Sequence, residues 1–351
     1  MWRDRRILDL FGIEHPLILA PMAGSGGPAL AVEVARAGGL ASLPCALLTP
    51  GTVAREVETV RHEAAGPVNL NFFCHRLPDP DDPRAGAWAR RIGERYGVPP
   101  SPPEGPSRLP FDEAACALVE AVRPEVASFH FGLPEPALLE RVKVTGARVI
   151  ASATTVEEAV WLAERGVDAV IAQGAEAGGH RGMFLDEAVA SQIGTLSLVP
   201  LVADAVPVPV IAAGGIADGR GMAAALMLGA SAVQVGTAFL RSPEALTGAV
   251  HRKALALAGA GDTAITNVLT GRPARGILTR FVHEMGPMNP EAAPFPLAAA
   301  AIAGLRRAHE DRGSADFSPA WAGQSFPLAR DEPAGETAAR IVAEARALLG
   351  V

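Results

Sequence analysis

Cysteine is scarce in this chain: three residues, Cys45, Cys74 and Cys116, in 351. An odd number with no CxxC spacing argues against both a disulfide framework and a zinc site, so the thiols are expected to be reduced. Surplus positive charge is also missing. The formal net charge is −7, and Lys and Arg are dispersed, which argues against nucleic acid as a partner. Long apolar runs are absent too. The longest, such as Leu297 to Leu305 and Ala223 to Leu228, fall well short of the roughly 20 residues that cross a bilayer. The opening Met-Trp-Arg-Asp-Arg-Arg has no apolar core or small-residue cleavage site of a signal peptide. No membrane association is expected, and a cytoplasmic location is. There is a single tyrosine, Tyr96, to which no role is assigned.

What the chain has is regular alternation. Short apolar, β-branched runs recur at Pro16–Pro21, Leu40–Leu43, Val68–Phe73, Val126–Phe131, Arg148–Ser152, Ala169–Ala172, Val210–Ala213 and Ala232–Val235. Helical patterns lie between them, for example at Pro28–Ala37, Pro134–Val144, Val156–Arg165 and Arg220–Leu228. Eight strand-then-helix repeats predict an α/β fold, a parallel (β/α)8 TIM barrel. Two segments break the rhythm. Arg76 to Pro110 carries the runs PDPDDP and VPPSPPEGP and reads as an extended loop excursion. Ser242 to Phe317 reads as a smaller helical cap, or substrate domain, with helices at Leu246–Ala260 and Leu297–Arg307. Residues 1–241 and 318–351 then form the barrel, and a helix over Thr337 to Leu349 completes its outer ring.

Barrel enzymes build their sites at the carboxyl ends of the strands. After the seventh strand comes AGGIADG, where Gly214 and Gly215 let a ligand approach the backbone and the next helix is expected to present unpaired N–H groups. After the eighth come Gln234, Val235, Gly236 and Thr237. Together they read as a phosphate cradle. The sixth strand runs into QGAEAGGHRG, a loop with four glycines that cannot be helix interior. His180 sits in it, with an ordinary pKa near 6.5 suited to moving a proton; an isolated histidine would merely cap a turn, but one in this loop is read as catalytic. His75 and His130, after the third and fourth strands, read equally well as substrate-pocket residues or as satisfied interior ones. Asn71 offers donor and acceptor to a ring or phosphate, or else closes a turn. Ala20, Pro21 and Met22, followed by Gly24, Gly26 and Gly27, leave room for a planar ligand. Arg181 and Arg275 are read as solvated or ion-paired.

These residues together resemble the nitronate monooxygenase family, formerly the 2-nitropropane dioxygenases, over nearly the whole chain. The matching blocks are HPLILAPMAG, VNLNFFCH, SFHFGLP, AQGAEAGGHRG, PVIAAGGIADGRGMAAALMLGASAVQVGTAFL, TGRPARGI and WAGQS. The resemblance implies FMN as cofactor and oxidation of alkyl nitronates with O₂ to carbonyl compounds and nitrite. It assigns FMN contacts to Ala20, Pro21, Met22, Asn71, Gln173, Gly178, Gly179, Gly215, Gln234, Gly236 and Thr237, closure over the cofactor to Gln324, and the catalytic histidine to His180. A monomer or homodimer acting on a small molecule is expected. Two other readings stand beside it. One is an NAD(P)H-dependent flavin reductase, such as an enoyl-acyl-carrier-protein or quinone reductase, which is similar in its barrel and its EAGGH loop. The other is a non-catalytic flavin- or phosphate-binding barrel, which would need no histidine beside the glycines.

Overall fold

The computed structural model describes residues 1–79, 81–99 and 108–351. All eight expected strands form one parallel sheet. In chain order they are β1 (Leu17–Leu19), β2 (Ala41–Pro44), β3 (Val68–Phe73), β4 (Val126–His130), β5 (Arg148–Ala153), β6 (Ala169–Gln173), β8 (Val210–Ala213) and β9 (Ala232–Val235). A two-residue strand in the glycine loop, β7 (Gly179–His180), belongs to a separate sheet. Sequential pairing runs from β2 through β6 to β8 and β9, and β9 then pairs with β1 in register Leu17 to Val233. The two ends of the sheet meet where Leu40 donates its N–H to Leu17 O (2.9 Å) and accepts from Leu19 N (3.1 Å). That contact closes the circle, so the strands bury both faces. The physical cause is largely compositional: most strands are apolar or small-residue runs, and the polar exceptions Asn69 and Asn71 of β3 are buried and hydrogen-bonded inside the barrel, Asn69 to Ser42 and Asn71 to Ser128.

Between the strands, helices Pro28–Arg36, Pro136–Val144, Val156–Glu164 and Gly219–Met227 lie where the periodicity predicts. The terminal helix Ala334–Leu349 buries Ala338, Ile341, Val342 and Ala345 and packs on Gly219–Met227 and Pro28–Arg36, taking the last place in the outer ring. No helix among the described residues is long and apolar enough to cross a membrane.

Two expectations need correction. The excursion Arg76 to Pro110 is not all loop, because Pro83–Tyr96 is a helix. Pro83 stands at its first turn, where a missing N–H costs nothing, and Asp82 caps it by accepting from Arg84 N at 2.9 Å. Its buried face, Trp88 and Ile92, joins a second apolar cluster with Val268, Leu269, Phe281, Val282 and Phe317. Proline here is a start signal rather than a breaker. Residues 100–107 of the second proline run lie outside the described residues. The other correction concerns 242–317, which is not purely helical. Helix Ala249–Leu257 lies inside the expected Leu246–Ala260, and Leu297–Arg307 divides into Ala298–Ala301 and Ala303–Glu310. Between them an antiparallel pair, β10 (Thr263–Thr266) and β11 (Ala274–Ile277), binds β7 along its edge.

Candidate active site

A cavity of about 500 Å³ opens at the carboxyl ends of the barrel strands. Every strand end contributes in the manner the barrel requires: Ala20, Pro21 and Met22 after β1, Pro44 from β2, Asn71 from β3, His130 from β4, Ser152 from β5 and Gln173 from β6. Gly214 and Gly215 follow β8, while Gln234, Gly236 and Thr237 line it from β9 and just beyond. Gly178, Gly179 and His180 cross above. Three expected residues do not line it. Val235 is buried in the barrel wall, Gln324 is exposed with its neighbours Gly323 and Ser325 on the cavity, and His75 lies beneath Phe295, Phe73 and Phe131. Gly26 and Gly27 also stay outside, Gly27 being the N-cap of Pro28–Arg36.

The glycine loop is held rigidly by the barrel beneath it. His180 O accepts from Gln173 Nε2 (3.0 Å), and Gln173 Oε1 accepts from Gly182 N (2.7 Å). His130 Nε2 lies 3.1 Å from the same carbonyl, which can only accept, so that nitrogen carries the proton. The other ring nitrogen of His130 therefore accepts from Ser152 Oγ at 3.1 Å. His130 lines the cavity, and its ring is satisfied as an interior histidine's would be. Arg181 is fully buried and neither solvated nor ion-paired, contrary to expectation. It donates to Gln173 O (2.6 Å), Gly174 O (2.7 Å) and Gln192 Oε1 (2.9 Å), and burial lowers its pKa to about 10. Arg275 is likewise tied to Ala175 O and Thr263 Oγ1. Both cations satisfy carbonyls at a strand-to-loop bend that no backbone ladder reaches.

The helix after β8 is not the free anion site that the glycines suggest. Asp218 caps it, accepting from Arg220 N and Gly221 N, and Glu344 of the terminal helix takes Gly219 N at 2.9 Å. A carboxylate already occupies the positive end of the helix. That end of the cavity is lined instead by loop backbone and the Thr237 hydroxyl, which accepts from Gly323 N (2.9 Å) and keeps its own proton to donate. Gly214 and Gly215 adopt φ of 114° and 71°, values that a side chain would disfavour. Asn71 does not close a turn. Its amide donates to Ser128 Oγ at 3.0 Å across β3 and β4.

Over these loops runs a strap, residues 321–325. Ala322 N donates to Arg275 O (3.3 Å), Gln324 N to Glu176 O (2.9 Å), and Ser325 Oγ to Gly215 O (2.7 Å). His251 Nε2 donates to Trp321 O at 3.0 Å. His251, Trp321, Phe73, Ser152 and Arg108 line the cavity although the sequence does not single them out. Phe73 and Trp321 stand inside the blocks VNLNFFCH and WAGQS, where the resemblance could have marked them; the others carry no local signal.

His180 is the ring around which the site is arranged. Its neighbours are aromatic, with ring centres at 5.2 Å for Phe295, 5.5 Å for Trp321, 6.0 Å for Phe131 and 6.3 Å for Phe73. Burial, then the positive charge of Arg108 and the nearby His130 and Arg272, hold its pKa well below the ordinary value. It is a neutral imidazole at pH 7. His130 is pushed down to about 4, chiefly by burial, and His75 likewise to about 4.

These depressed histidines carry a stability consequence. As pH falls below 6.5 the unfolded chain gains protons that the folded chain refuses, so folding stability is lost toward the folded pKa. For His130 alone the loss between pH 7 and pH 5 is about 2 kcal/mol. Denaturant unfolding of the wild type and of His130→Gln at both pH values measures it: the variant should show a shallower pH dependence by about that amount, and equal slopes would contradict the assignment.

Comparison with known proteins adds the following. The sequence profile of the nitronate monooxygenase family matches residues 4–344. The chain is 42% identical to a nitronate monooxygenase of Pseudomonas aeruginosa, over 97% of this chain and 99% of that one. It is 40% identical to a nitronate monooxygenase of Paraburkholderia phytofirmans, over 97% and 94%. Among solved structures, nitroalkane oxidase from Streptomyces ansochromogenes superposes with a TM-score of 0.86 at 36% identity, covering 98% of this chain and 99% of that one. FabK from Thermotoga maritima gives 0.75 at 30% identity, covering 100% and 98%.

Proposed function

The chain belongs to the nitronate monooxygenase family, and from that premise we propose that it binds FMN and oxidises alkyl nitronates, and nitroalkanes that it first deprotonates, with O₂ to carbonyl compounds and nitrite. The observation that carries this reading is His180, half-buried on the wall of a glycine-lined cavity at the mouth of the barrel, with desolvation and Arg108 holding its pKa well below the ordinary value.

The residues present fit a flavin mononucleotide. Gln234 Oε1 is a buried acceptor without a partner among the described residues, suited to a ring N–H. A Cβ at Gly236 would come within 3.2 Å of Ala20 and 3.5 Å of Met22 Sδ, so glycine keeps that wall open to a flat ring. The Thr237 hydroxyl and the backbone about Gly215 and Gly236 would hold the phosphate. Gln173 has little left to offer, since its amide is engaged with the His180 loop.

When bound, FMN supplies the redox chemistry, accepting electrons from the nitronate and passing them to O₂. The chain does the rest. His180, neutral at pH 7, takes the α-proton of a nitroalkane, and the anion that forms lies in the positive potential of Arg108, which lines the same cavity. Phe73 and Trp321 wall the site against water. We read residues 242–317, together with the helix Pro83–Tyr96 that shares their apolar cluster, as the substrate-side unit, and residues 1–241 and 318–351 as the barrel.

The test is an anaerobic absorbance titration of the flavin-loaded protein with ethyl nitronate and, separately, NADPH. A flavin spectral change with nitronate alone, followed by nitrite release on admitting air, is the expected outcome. Bleaching by NADPH with no response to nitronate would make the protein a reductase instead.

A further inference from the structure

The His180 ring has one hydrogen-bond partner among the described residues, and it comes from neither the barrel nor the strap. Thr270 Oγ1 lies 2.9 Å from His180 Nε2. Thr270 is 2% exposed, so water does not compete for its hydroxyl. Its position is tightly determined. Gly271 N donates to Asn267 O at 2.7 Å, and a Cβ on Gly271 would strike the 293–295 backbone at 2.3 to 2.5 Å. Arg181 N, next to His180, donates to Pro273 O at 2.8 Å, tying the two loops together. The Thr270 hydroxyl also has somewhere to send its own proton: Arg272 O stands 3.4 Å away.

We propose that Thr270 is a positioning residue for proton transfer, holding Nε2 of His180 so that Nδ1 receives the substrate proton and giving the resulting imidazolium its one hydrogen-bond acceptor. The inference rests on the reading of His180 as base. In the step, the α C–H bond of the nitroalkane breaks and its electron pair stays on carbon, delocalising into the nitro group as the nitronate. The proton forms an N–H bond at Nδ1. Nε2–H then donates to Thr270 Oγ1, and the Thr270 hydroxyl donates to Arg272 O.

The chemistry needs such a partner. Arg108 and Arg272 stand near the ring, and their positive charge disfavours a second charge on it. No carboxylate pairs with His180 among the described residues, in contrast to the usual histidine base. A neutral hydroxyl backed by a carbonyl keeps the resting proton on Nε2 and accepts from the imidazolium, yet lacks the negative charge with which a carboxylate would hold a second proton on the ring, so the base stays neutral until substrate arrives.

The experiment compares kcat/KM for nitroethane with that for ethyl nitronate, which needs no deprotonation, in flavin-loaded wild type, Thr270→Val, Thr270→Ser and His180→Asn. The nitroethane-to-nitronate ratio should fall about tenfold to a hundredfold in Thr270→Val, the loss expected for a hydrogen bond to a charged group. Thr270→Ser, which keeps the hydroxyl and drops one methyl, should restore most of the ratio. Nitrogen-15 NMR of histidine-labelled protein, with the His180 signals identified by their loss in His180→Asn, should show protonated Nε2 in the wild type and a tautomer mixture in Thr270→Val. An unchanged ratio in Thr270→Val, or a fall that Ser does not reverse, would overturn the role of Thr270 and leave the base intact. An unchanged ratio in His180→Asn would overturn the base assignment itself.

Discussion

Replacing His180 with Asn should lower kcat/KM for nitroethane by about 10² to 10⁴, the range for removing a general base. Ethyl nitronate oxidation should suffer much less, because its proton is already gone. The backbone of residue 180 is held by Gln173 and His130 through its carbonyl, so the side chain can change while the loop stays in place. The wild-type pH profile provides a second reading of the same group. Burial and Arg108 keep the His180 pKa well below 6.5; the base therefore remains deprotonated as pH falls through 6.5, and nitroethane kcat/KM should hold level there and decline only in more acidic solution. A profile halved near pH 6.5 would place an ordinary, solvated histidine at the site.

Gly178→Ala should cost the protein both its flavin affinity and part of its stability. A Cβ at that position would stand 2.5 Å from Gly323 N and 2.6 Å from Ala322 C. Both atoms are backbone, and the strap that carries them is pinned to Arg275, Thr237, Glu176 and Gly215. It can retreat only by dragging Thr237 and Gly215 with it, and these belong to the proposed phosphate cradle. Overpacking of this kind costs about 1–3 kcal/mol, and a similar loss at the cradle would weaken FMN binding by roughly tenfold to a hundredfold. The adjacent glycine provides the control. Gly179 has φ 75°, but a Cβ there would meet no protein atom within 4 Å, so in thermal unfolding of the apoprotein Gly179→Ala should show only the left-handed backbone penalty of about 1–2 kcal/mol. Fluorescence titration of apoprotein with FMN and thermal unfolding measure both variants. Wild-type FMN affinity in Gly178→Ala would mean that the strap does not shape the cofactor site.

These two glycines illustrate how much of the site is legible in the sequence. That AGGH lies in a loop follows from composition, since glycine in such density cannot be helix interior. Which glycine is needed for its missing side chain and which for its backbone angle depends on a strap that lies far along the chain, at residues 321–325, and no local pattern reveals it. Pro83 misleads for a related reason: proline ends one element and begins another with equal ease, and only the burial of Trp88 and Ile92 against residues 268–317 decides for a helix. The free helix N-terminus expected after β8 is filled from two sides: Asp218, a local cap, takes Arg220 N and Gly221 N, and Glu344, from the far end of the chain, takes Gly219 N. Arg181 reads as solvated because a charge is costly to bury without partners, and its partners are carbonyls that converge only once the loop bends.

By itself, then, the sequence determined the barrel, its eight strands, the glycine loops and the placing of His180 within one of them, because each rests on periodicity or composition within a few residues and the strand ends of a barrel converge whatever its loops do. Tertiary structure alone decided that His180 is neutral, that Thr270 holds its ring, and that the strap packs glycine on glycine, since burial, charge proximity and hydrogen bonding depend on side chains that are distant in the chain and adjacent only after folding.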